Sequence, residues 1–175
     1  MKKQIRICGF GGQGIILAGV ILGEAAVKAD YWAVQTQSYG PESRGGAARA
    51  EVVISTDPID YPRVVEADVA VVLSQTAYEK YGSEGVGDGT VVVDRDLVKA
   101  EGVLSLPFTK TAEGVGHKIV TNMVMLGYLG ALLDLIPHEV LEETVLLNVP
   151  KGTEELNRKA VQAGRDLYIE AQSQP

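Results

Sequence analysis

The run Gln4-Ile5-Arg6-Ile7-Cys8-Gly9-Phe10-Gly11-Gly12-Gln13-Gly14 joins an alternating apolar segment to a glycine-rich turn. Apolar residues at helical spacing follow over 15–29, which gives the order strand, tight turn, helix. The glycines fit the pattern Gly-x-Gly-x-x-Gly, in which the backbone can approach a phosphate at the start of a helix. The run therefore predicts an α/β fold with an anion-holding turn after its first strand.

The rest of the chain continues the alternation of strands and helices. We predict strands over 4–8, 31–38, 50–55, 69–73, 91–94 and 103–106, and helices over 15–29, 118–135, 138–147 and 152–171. Because a turn region over 55–62 can reverse the chain, we expect a mostly parallel but mixed sheet. The arrangement is that of a three-layer α/β/α domain, and we expect residues 1–175 to form a single one.

Composition and charge exclude several classes of protein. The net charge of −7 does not favour a nucleic-acid binder, because phosphate backbones are bound by clustered Lys and Arg. The most apolar stretch, residues 119–135, contains polar residues and is shorter than the about 20 residues that a bilayer span needs. The amino terminus lacks the pattern of a signal peptide. We therefore expect a cytoplasmic protein with neither nucleic acid nor membrane as a partner.

A single cysteine, Cys8, lies in the first apolar run. One cysteine permits no internal disulfide, and it does not suffice for an iron–sulfur cluster, which usually takes several thiolates. We expect Cys8 to be buried and structural.

Two interpretations of the glycine turn fit the residues. It can hold a ligand, with the Gln13 amide donating to a carbonyl or phosphate, or it can simply connect strand to helix. A nicotinamide or flavin site usually has an acidic residue near the end of the second strand to bind the ribose, and Val34-Gln35-Thr36-Gln37-Ser38 contains none. The anion is therefore not expected to belong to such a dinucleotide.

The loop Ser38-Tyr39-Gly40-Pro41-Glu42-Ser43-Arg44-Gly45-Gly46 is the second candidate site. Arg44 stands beside two glycines, and its planar guanidinium suits a carboxylate or phosphate. A surface salt bridge, for example with Glu42, is the alternative for Arg44. Doubly wound geometry would bring this loop and the glycine turn to the same carboxyl edge of the sheet. Arg49 is interpreted as a solvated residue at the entry of the next strand.

Other polar residues were weighed as site components. Gly87-Asp88-Gly89 looks like a thiamine diphosphate magnesium motif, but it precedes a predicted strand instead of following one, so we interpret it as a turn. His117 is expected to be a cap or a structural residue. Asn122, an amide on an apolar helix, is either satisfied by the chain or contacts a ligand. Neither metal-ligand spacing nor a nucleophile motif is evident, so we predict no metal site and no catalytic residue in this chain.

Three segments together resemble the gamma subunit of the 2-oxoacid:ferredoxin oxidoreductases, the pyruvate/ketoisovalerate/2-oxoglutarate family. They are the turn 9–14, Gln35-Thr-Gln-Ser-Tyr-Gly-Pro-Glu-Ser-Arg-Gly-Gly46 and Asn122-Met-Val-Met-Leu-Gly127. The similarity extends to the carboxyl-terminal Lys-Gly-Thr-Glu-Glu-Leu-Asn segment and so covers nearly the whole chain. The Arg44 loop looks most like the 2-oxoglutarate branch.

The resemblance implies a subunit of a complex that converts a 2-oxoacid and coenzyme A to acyl-CoA and carbon dioxide, with ferredoxin as electron acceptor. It implies partner alpha and beta subunits, with a delta subunit in some assemblies, that hold thiamine diphosphate, magnesium and iron–sulfur clusters. It assigns this chain to coenzyme A binding and closure of the active site. The expected coenzyme A contacts are Gly11, Gly12, Gln13, Gly14, Ser43, Arg44, Gly45, Gly46 and Asn122.

Two other classes of function fit the same residues. One is a nucleotide-binding regulatory module that uses the turn outside any redox complex, and the other is a purely structural scaffold subunit. The sequence leaves open the identity of the 2-oxoacid, the subunit stoichiometry, the oligomeric state of the isolated chain, the coenzyme A contacts in detail and the role of His117.

Overall fold

Strands and helices alternate along the chain in a computed structural model that describes residues 1–38, 46–82 and 84–173. The strands are β1 (Lys2–Phe10), β2 (Trp32–Gln37), β3 (Ala47–Ser55), β4 (Val69–Val72), β5 (Thr90–Asp94) and β6 (Leu104–Leu106). The helices are α1 (Ile15–Lys28), α2 (Gln75–Tyr81), α3 (Phe108–Val115), α4 (Thr121–Leu133), α5 (His138–Asn148) and α6 (Glu154–Ser173), with a 3₁₀ turn at Lys118–Val120.

The six strands form one mixed sheet in the order β2-β3-β1-β4-β5-β6. Strands β1, β4, β5 and β6 run parallel, whereas β3 is antiparallel to both β1 and β2. The prediction of a mostly parallel, mixed α/β sheet is confirmed. Because β1 is central, its carboxyl end is flanked by the start of β3 and the end of β4, and these three chain ends surround the glycine turn.

The two faces of the sheet are covered unequally. Ile5 and Ile7 of β1 are fully buried on the face that carries the main core, together with apolar residues of α1, α3, α4, α5 and α6. Cys8 points to the opposite face, where it packs with Val72 of β4 and with α2. The expected burial of Cys8 is confirmed. The helices thus lie on both sides of the sheet, with one short helix on the second side.

Helices α4 and α6 cross at very short range because glycines face each other's backbone. A Cβ added to Gly127 would lie 2.0 Å from the Val161 carbonyl oxygen, and one added to Gly164 would lie 1.9 Å from the Val124 carbonyl oxygen. Atoms at such distances overlap, so both positions require glycine. The crossing fixes α4, whose residues from Thr121 to Gly130 are all buried.

Several sequence-based predictions need correction. Helices α2 and α3 were not predicted, and residues 118–120 form a 3₁₀ turn instead of the first turn of the predicted helix 118–135. Arg49 is not a solvated residue: it lies inside β3, its side chain is 26% exposed, and its Nη1 is 3.0 Å from Glu84 Oε1. Its guanidinium also stacks on the Tyr81 ring, 4.9 Å from the ring centre. The turn interpretation of residues 87–89 is confirmed.

Within the described ranges, no helix combines the length and the apolar composition needed to cross a membrane.

Candidate functional site

The glycine turn at the carboxyl end of β1 depends on residues without a side chain. Gly12 and Gly14 adopt positive φ angles of 104° and 71°, a region that L-residues rarely occupy. A Cβ on Gly14 would also lie 2.3 Å from Asn122 Nδ2, and one on Gly9 would lie 2.5 Å from Ile15 Cδ1. The turn therefore brings bare backbone to the carboxyl edge of the sheet.

Gln13 fastens the turn to the sheet with both ends of its amide. Its Oε1 accepts a hydrogen bond of 2.6 Å from the Phe10 N–H, and its Nε2 donates one of 2.9 Å to the Leu73 carbonyl, next to β4. The sequence predicted that this amide contacts a ligand. In the structure Gln13 positions the turn, and its Nε2 keeps a second N–H that these two bonds do not use. The ligand contact of Gln13 stays a prediction.

Backbone N–H groups at the turn remain available to a ligand. The Gly11 N–H donates to the Gly46 carbonyl at 2.8 Å, and the Gln13 N–H donates to the Phe10 carbonyl at 3.0 Å. In contrast, the N–H groups of Gly12 and Gly14 have no acceptor within the described part of the chain. Helix α1 starts directly behind them and carries no acidic residue in its first turn. The positive end of the helix dipole and these donors favour an anion at this place.

The second predicted loop begins and ends beside the turn. Gly46 accepts the hydrogen bond from Gly11, so the two loops meet at one edge of the sheet, as doubly wound geometry predicted. Ser43, Arg44 and Gly45 lie at 39–45, outside the described residues, and their ligand contacts stay a prediction.

An open cleft of about 820 Å³ lies in front of the turn, with Gly12 and Gln13 on one side and the region from α3 to α4 on the other. Lys110, Lys118 and His117 contribute basic groups to its walls, and Asp96 and Glu113 contribute acidic ones. Neither lysine ammonium forms an ion pair with a described residue. Both remain available to an anionic ligand. Neither stands in a sequence motif, since the two lysines come from separate segments.

Two aspartates form hydrogen bonds to the start of α3, the helix that carries Lys110. Asp94 Oδ2 accepts hydrogen bonds from the Thr109 N–H at 3.0 Å and from the Thr109 hydroxyl at 2.6 Å, while Asp96 Oδ2 accepts one from the Lys110 N–H at 3.0 Å. These carboxylates occupy the free donors at the start of α3. Burial raises the pKa of Asp94 above its ordinary value, opposed by the hydrogen bonds from Thr109 and Asp96. In contrast, α1 has no acidic residue in its first turn and no side-chain cap.

His117 caps the 3₁₀ turn that precedes α4. Its Nδ1 accepts a hydrogen bond of 3.0 Å from the Ile119 N–H, which confirms the predicted capping role. An accepting Nδ1 carries no proton, so the proton of the neutral ring is on Nε2.

Asn122 stands behind the turn near the start of α4. It is 5% exposed, and its Nδ2 donates to the Gly14 carbonyl at 3.3 Å. The Asn122 amide nitrogen therefore has a hydrogen-bond partner within the chain. The ligand contact of Asn122 stays a prediction.

Comparison with known proteins assigns the fold to a family. The model of the pyruvate ferredoxin/flavodoxin oxidoreductase family matches residues 4–167. The chain belongs to this family. The resemblance drawn from the glycine turn, the Arg44 loop and the Asn122 segment is confirmed.

Similar proteins share nearly the full length of this family member. The 2-oxoglutarate synthase subunit KorC of Methanocaldococcus jannaschii is 51% identical, covering 97% of this chain and 96% of the relative. The KorC subunit of Methanothermobacter marburgensis is 48% identical, covering 98% of this chain and 100% of the relative.

Solved structures agree with the fold. The gamma subunit of a keto/oxoacid ferredoxin oxidoreductase from Geobacter sulfurreducens superposes with a TM-score of 0.85 at 42% identity, covering 98% of both chains. A 2-oxoglutarate:ferredoxin oxidoreductase from Magnetococcus marinus has a TM-score of 0.84 at 24% identity, covering 97% of this chain and 31% of that one. The second similarity supports the fold alone.

The described residues do not form a metal centre. They contain no group of three or more His, Cys, Asp or Glu side chains that could hold a metal ion. Cys8 is the one cysteine of the sequence and is fully buried in the sheet, whereas an iron–sulfur cluster usually takes several thiolates. The donor set of this part of the chain fits neither magnesium nor an iron–sulfur cluster.

Proposed function

We propose that this chain is the gamma-type subunit of a 2-oxoglutarate:ferredoxin oxidoreductase. The complex would convert 2-oxoglutarate and coenzyme A to succinyl-CoA and carbon dioxide, with the two electrons passing to ferredoxin. Four relatives at 43% to 51% identity bear the name 2-oxoglutarate synthase subunit KorC. Relatives named for ketoisovalerate or indolepyruvate are 26% to 32% identical, which favours 2-oxoglutarate as the substrate.

The proposed task of the chain is to bind coenzyme A. The main support is the glycine turn, whose Gly12 and Gly14 N–H groups have no acceptor among the described residues. Gly12, whose N–H group has no acceptor among the described residues, lines a cleft in which Lys110 and Lys118 form no ion pair with any described residue. Backbone donors at a helix start together with free ammonium groups bind phosphate. Coenzyme A carries three phosphate groups, whereas 2-oxoglutarate and carbon dioxide carry none.

The redox chemistry is assigned to partner subunits. Thiamine diphosphate, magnesium and iron–sulfur clusters are proposed to reside in the alpha and beta subunits, with a delta subunit where the complex has one, because the described part of this chain lacks their ligands. Ferredoxin would be reached through those subunits. With a reduced single cysteine, the chain is expected to work in the cytoplasm.

Arg44 is proposed to neutralise a charge on coenzyme A, framed by Ser43, Gly45 and Gly46. The support is the position of Gly46, whose carbonyl lies 2.8 Å from the Gly11 nitrogen, so that the loop enters the site from the side of the glycine turn. An Arg guanidinium with two donors in one plane suits a phosphate.

Acyl-CoA formation by the reconstituted complex tests the assignment. Arg44→Ala should raise the KM for coenzyme A about ten- to a hundredfold, the equivalent of about 1.5–3 kcal/mol for one charged hydrogen bond. Lys110→Ala and Lys118→Ala should each raise it a few-fold, because exposed charges contribute about 0–1 kcal/mol. Lys159→Ala, which removes an exposed lysine of α6 that pairs with Glu155, is the matched control and should leave the KM unchanged.

The other classes of function give different results. Equilibrium titration of the purified chain with coenzyme A, ATP and NADH identifies a nucleotide-binding module if ATP or NADH binds more tightly than coenzyme A. Activity and a coenzyme A KM equal to wild type after changes at both Gln13 and Arg44 would identify a scaffold subunit instead.

A further inference from the structure

A second, smaller cavity of about 230 Å³ lies beside the glycine turn and shares part of its lining with the open cleft. Its walls come from the turn, from the start of α4 and from the connection between α5 and α6. Most of the lining is apolar, with Leu17, Met123, Val149, Pro150 and Leu156 facing the space. Besides Gln13 and Thr153, which are half-buried, two buried amide side chains, Asn122 and Asn157, interrupt this apolar lining.

Both amides are almost completely buried and have their nitrogens occupied. Each residue is 5% exposed. Asn122 Nδ2 donates to the Gly14 carbonyl at 3.3 Å, and Asn157 Nδ2 donates to the Thr153 carbonyl at 2.9 Å and to its hydroxyl at 3.0 Å. The amide orientations are thereby fixed by the hydrogen bonds of the nitrogens.

The two side-chain oxygens have no donor among the described residues. No fully buried side-chain nitrogen or oxygen in this part of the molecule lacks a partner. The oxygens of Asn122 and Asn157 must therefore be accessible, and the cavity that both residues line is the space they face. A buried amide oxygen needs a hydrogen bond, so the cavity presents two unmet acceptors.

Acceptors in an apolar pocket select a particular kind of ligand. They match a neutral chain that carries N–H donors. The cavity shares Gly12, Gln13 and Ile119 with the phosphate-binding cleft, so one ligand can extend from one space into the other. Ile119 stands between them and is 70% exposed.

We propose that this cavity is the subsite for the pantetheine arm of coenzyme A, with the arm's amide N–H groups donating to Asn122 and Asn157. The identity of the ligand rests on the proposed function, whereas the chemical class, a neutral chain with amide donors, rests on the cavity itself. Asn157 is a ligand-binding residue in this proposal. Asn122 also positions the turn through Gly14. The phosphates stay in the open cleft, which Gly12, Lys110 and Lys118 line.

The test compares two probes that differ in the pantetheine arm. Coenzyme A has the arm, and adenosine 3′,5′-bisphosphate keeps nucleotide phosphates without it. Asn157→Leu replaces the acceptor by an apolar group and should weaken coenzyme A binding to the purified chain about three- to tenfold, the loss of one neutral hydrogen bond. Binding of the bisphosphate should be unchanged. Both affinities are measured by isothermal titration calorimetry.

Two further variants sharpen the result. Asn157→Asp keeps an acceptor oxygen toward the cavity and should retain more coenzyme A affinity than Asn157→Leu. Asn148→Leu makes the same replacement on α5, outside the cavity lining, and should change neither affinity. Should Asn157→Leu fail to fold, Val149→Phe fills the cavity from the other wall and should have the same selective effect on coenzyme A.

The outcomes separate the subsite from the proposed function. Wild-type coenzyme A affinity in both Asn157→Leu and Val149→Phe would overturn the subsite while leaving coenzyme A binding intact. An equal loss for both probes would also overturn it, since it would show a general disturbance of the turn. Absence of coenzyme A binding to the wild-type chain and to the reconstituted complex would instead refute the proposed function.

Discussion

At the scale of single residues, a position can require glycine for two reasons: a positive φ angle that strains other residues, or a neighbouring atom that a Cβ would overlap. Gly14 has φ 71° and also faces Asn122 Nδ2, whereas Gly102 has φ 70° with open space around it. Because the two φ angles are nearly equal, a difference in stability between alanine variants at these positions measures the steric overlap alone.

Gly14→Ala should lower the free energy of unfolding by more than Gly102→Ala does. Backbone strain alone costs about 1–3 kcal/mol for an L-residue at such an angle. At Gly14 the added Cβ would also lie 2.3 Å from Asn122 Nδ2, so that the side chain must move and its bond to Gly14 is lost. Urea denaturation of the two variants measures the difference. Equal losses in both would show that the contact with Asn122 contributes nothing.

Cys8 should be chemically inert in the folded chain. Burial raises the pKa of its thiol to about 12 from an ordinary value of 9.0, against the smaller lowering by Arg6 and Arg49. Iodoacetamide at about pH 8.5, near the usual pKa of a free cysteine, should leave the native protein unmodified and alkylate it in urea. Mass spectrometry distinguishes the two states.

The same shift predicts a dependence of stability on pH. Between 9.0 and about 12 the unfolded chain releases the thiol proton that the folded chain retains. The unfolded state therefore binds fewer protons, and the free energy of unfolding falls as the pH rises through this window. Cys8→Ala should remove this part of the slope, and an unchanged slope in that variant would contradict the assignment.

At the scale of secondary-structure elements, the crossing of α4 and α6 depends on glycines inside helices. Glycine in a helix normally costs about 0.5–1 kcal/mol relative to alanine, so its presence needs a reason. At Gly127 and Gly164 the reason is the approach of the facing backbone. Gly114 in α3 has no atom within 4 Å of an added Cβ, and it offers a control in the same type of element.

Gly164→Ala should destabilise the protein, while Gly114→Ala should stabilise it. The added methyl at Gly164 would meet the Val124 carbonyl oxygen at 1.9 Å and force the helices apart. Overpacking of this kind costs about 1–3 kcal/mol. At Gly114 the helix gains about 0.5–1 kcal/mol because alanine restricts the unfolded chain. Thermal unfolding measures the shift of Tm in each variant. A higher Tm for Gly164→Ala would contradict the close approach of α4 and α6.

At the scale of the whole molecule, ion pairs connect the sheet to the segment that covers its second face, where α2 is the only helix in the described part of the chain. Arg6 of β1 is 2% exposed, and its Nε lies 3.0 Å from Glu51 Oε1 of β3. The same guanidinium donates from Nη1 to the Glu84 carbonyl in the segment after α2. Arg49 lies 3.8 Å from Glu51 and pairs with Glu84. One network thus joins the sheet to the segment that covers it.

Arg6→Met should lower the free energy of unfolding by about 3–5 kcal/mol, because Glu51 then remains buried without its closest partner. The double variant Arg6→Met with Glu51→Leu should recover a large part of that loss, since no charge is left unpaired by the first change. Urea denaturation of the wild type, both single variants and the double variant gives the four free energies of unfolding of a double-mutant cycle. A double variant as unstable as the sum of the single ones would show that the two side chains act independently.

Residue patterning predicted most of the fold. All six strands and the four longer helices were found from residue patterns: alternation or a continuous apolar run for the strands, and apolar spacing or a long apolar stretch for the helices. Helices α2 and α3, with 7 and 8 residues, were missed. Helices that short show two turns at most, and their stability comes from caps and packing, as with Ser74 at α2 and Asp94 at α3.

The glycine turn and its place before a helix follow from local sequence, because positive φ angles and tight turns demand particular residues at particular spacings. The meeting of the turn with the loop that ends at Gly46 follows from doubly wound topology. Contacts between distant segments carry no such local mark. The folded chain alone shows the bond from Asn122 to Gly14, the cleft position of Lys110 and Lys118, the ion pairs of Arg49 and the cavity position of Asn157. Each depends on which segments the sheet order brings together, and that order is set by the packing of the whole molecule.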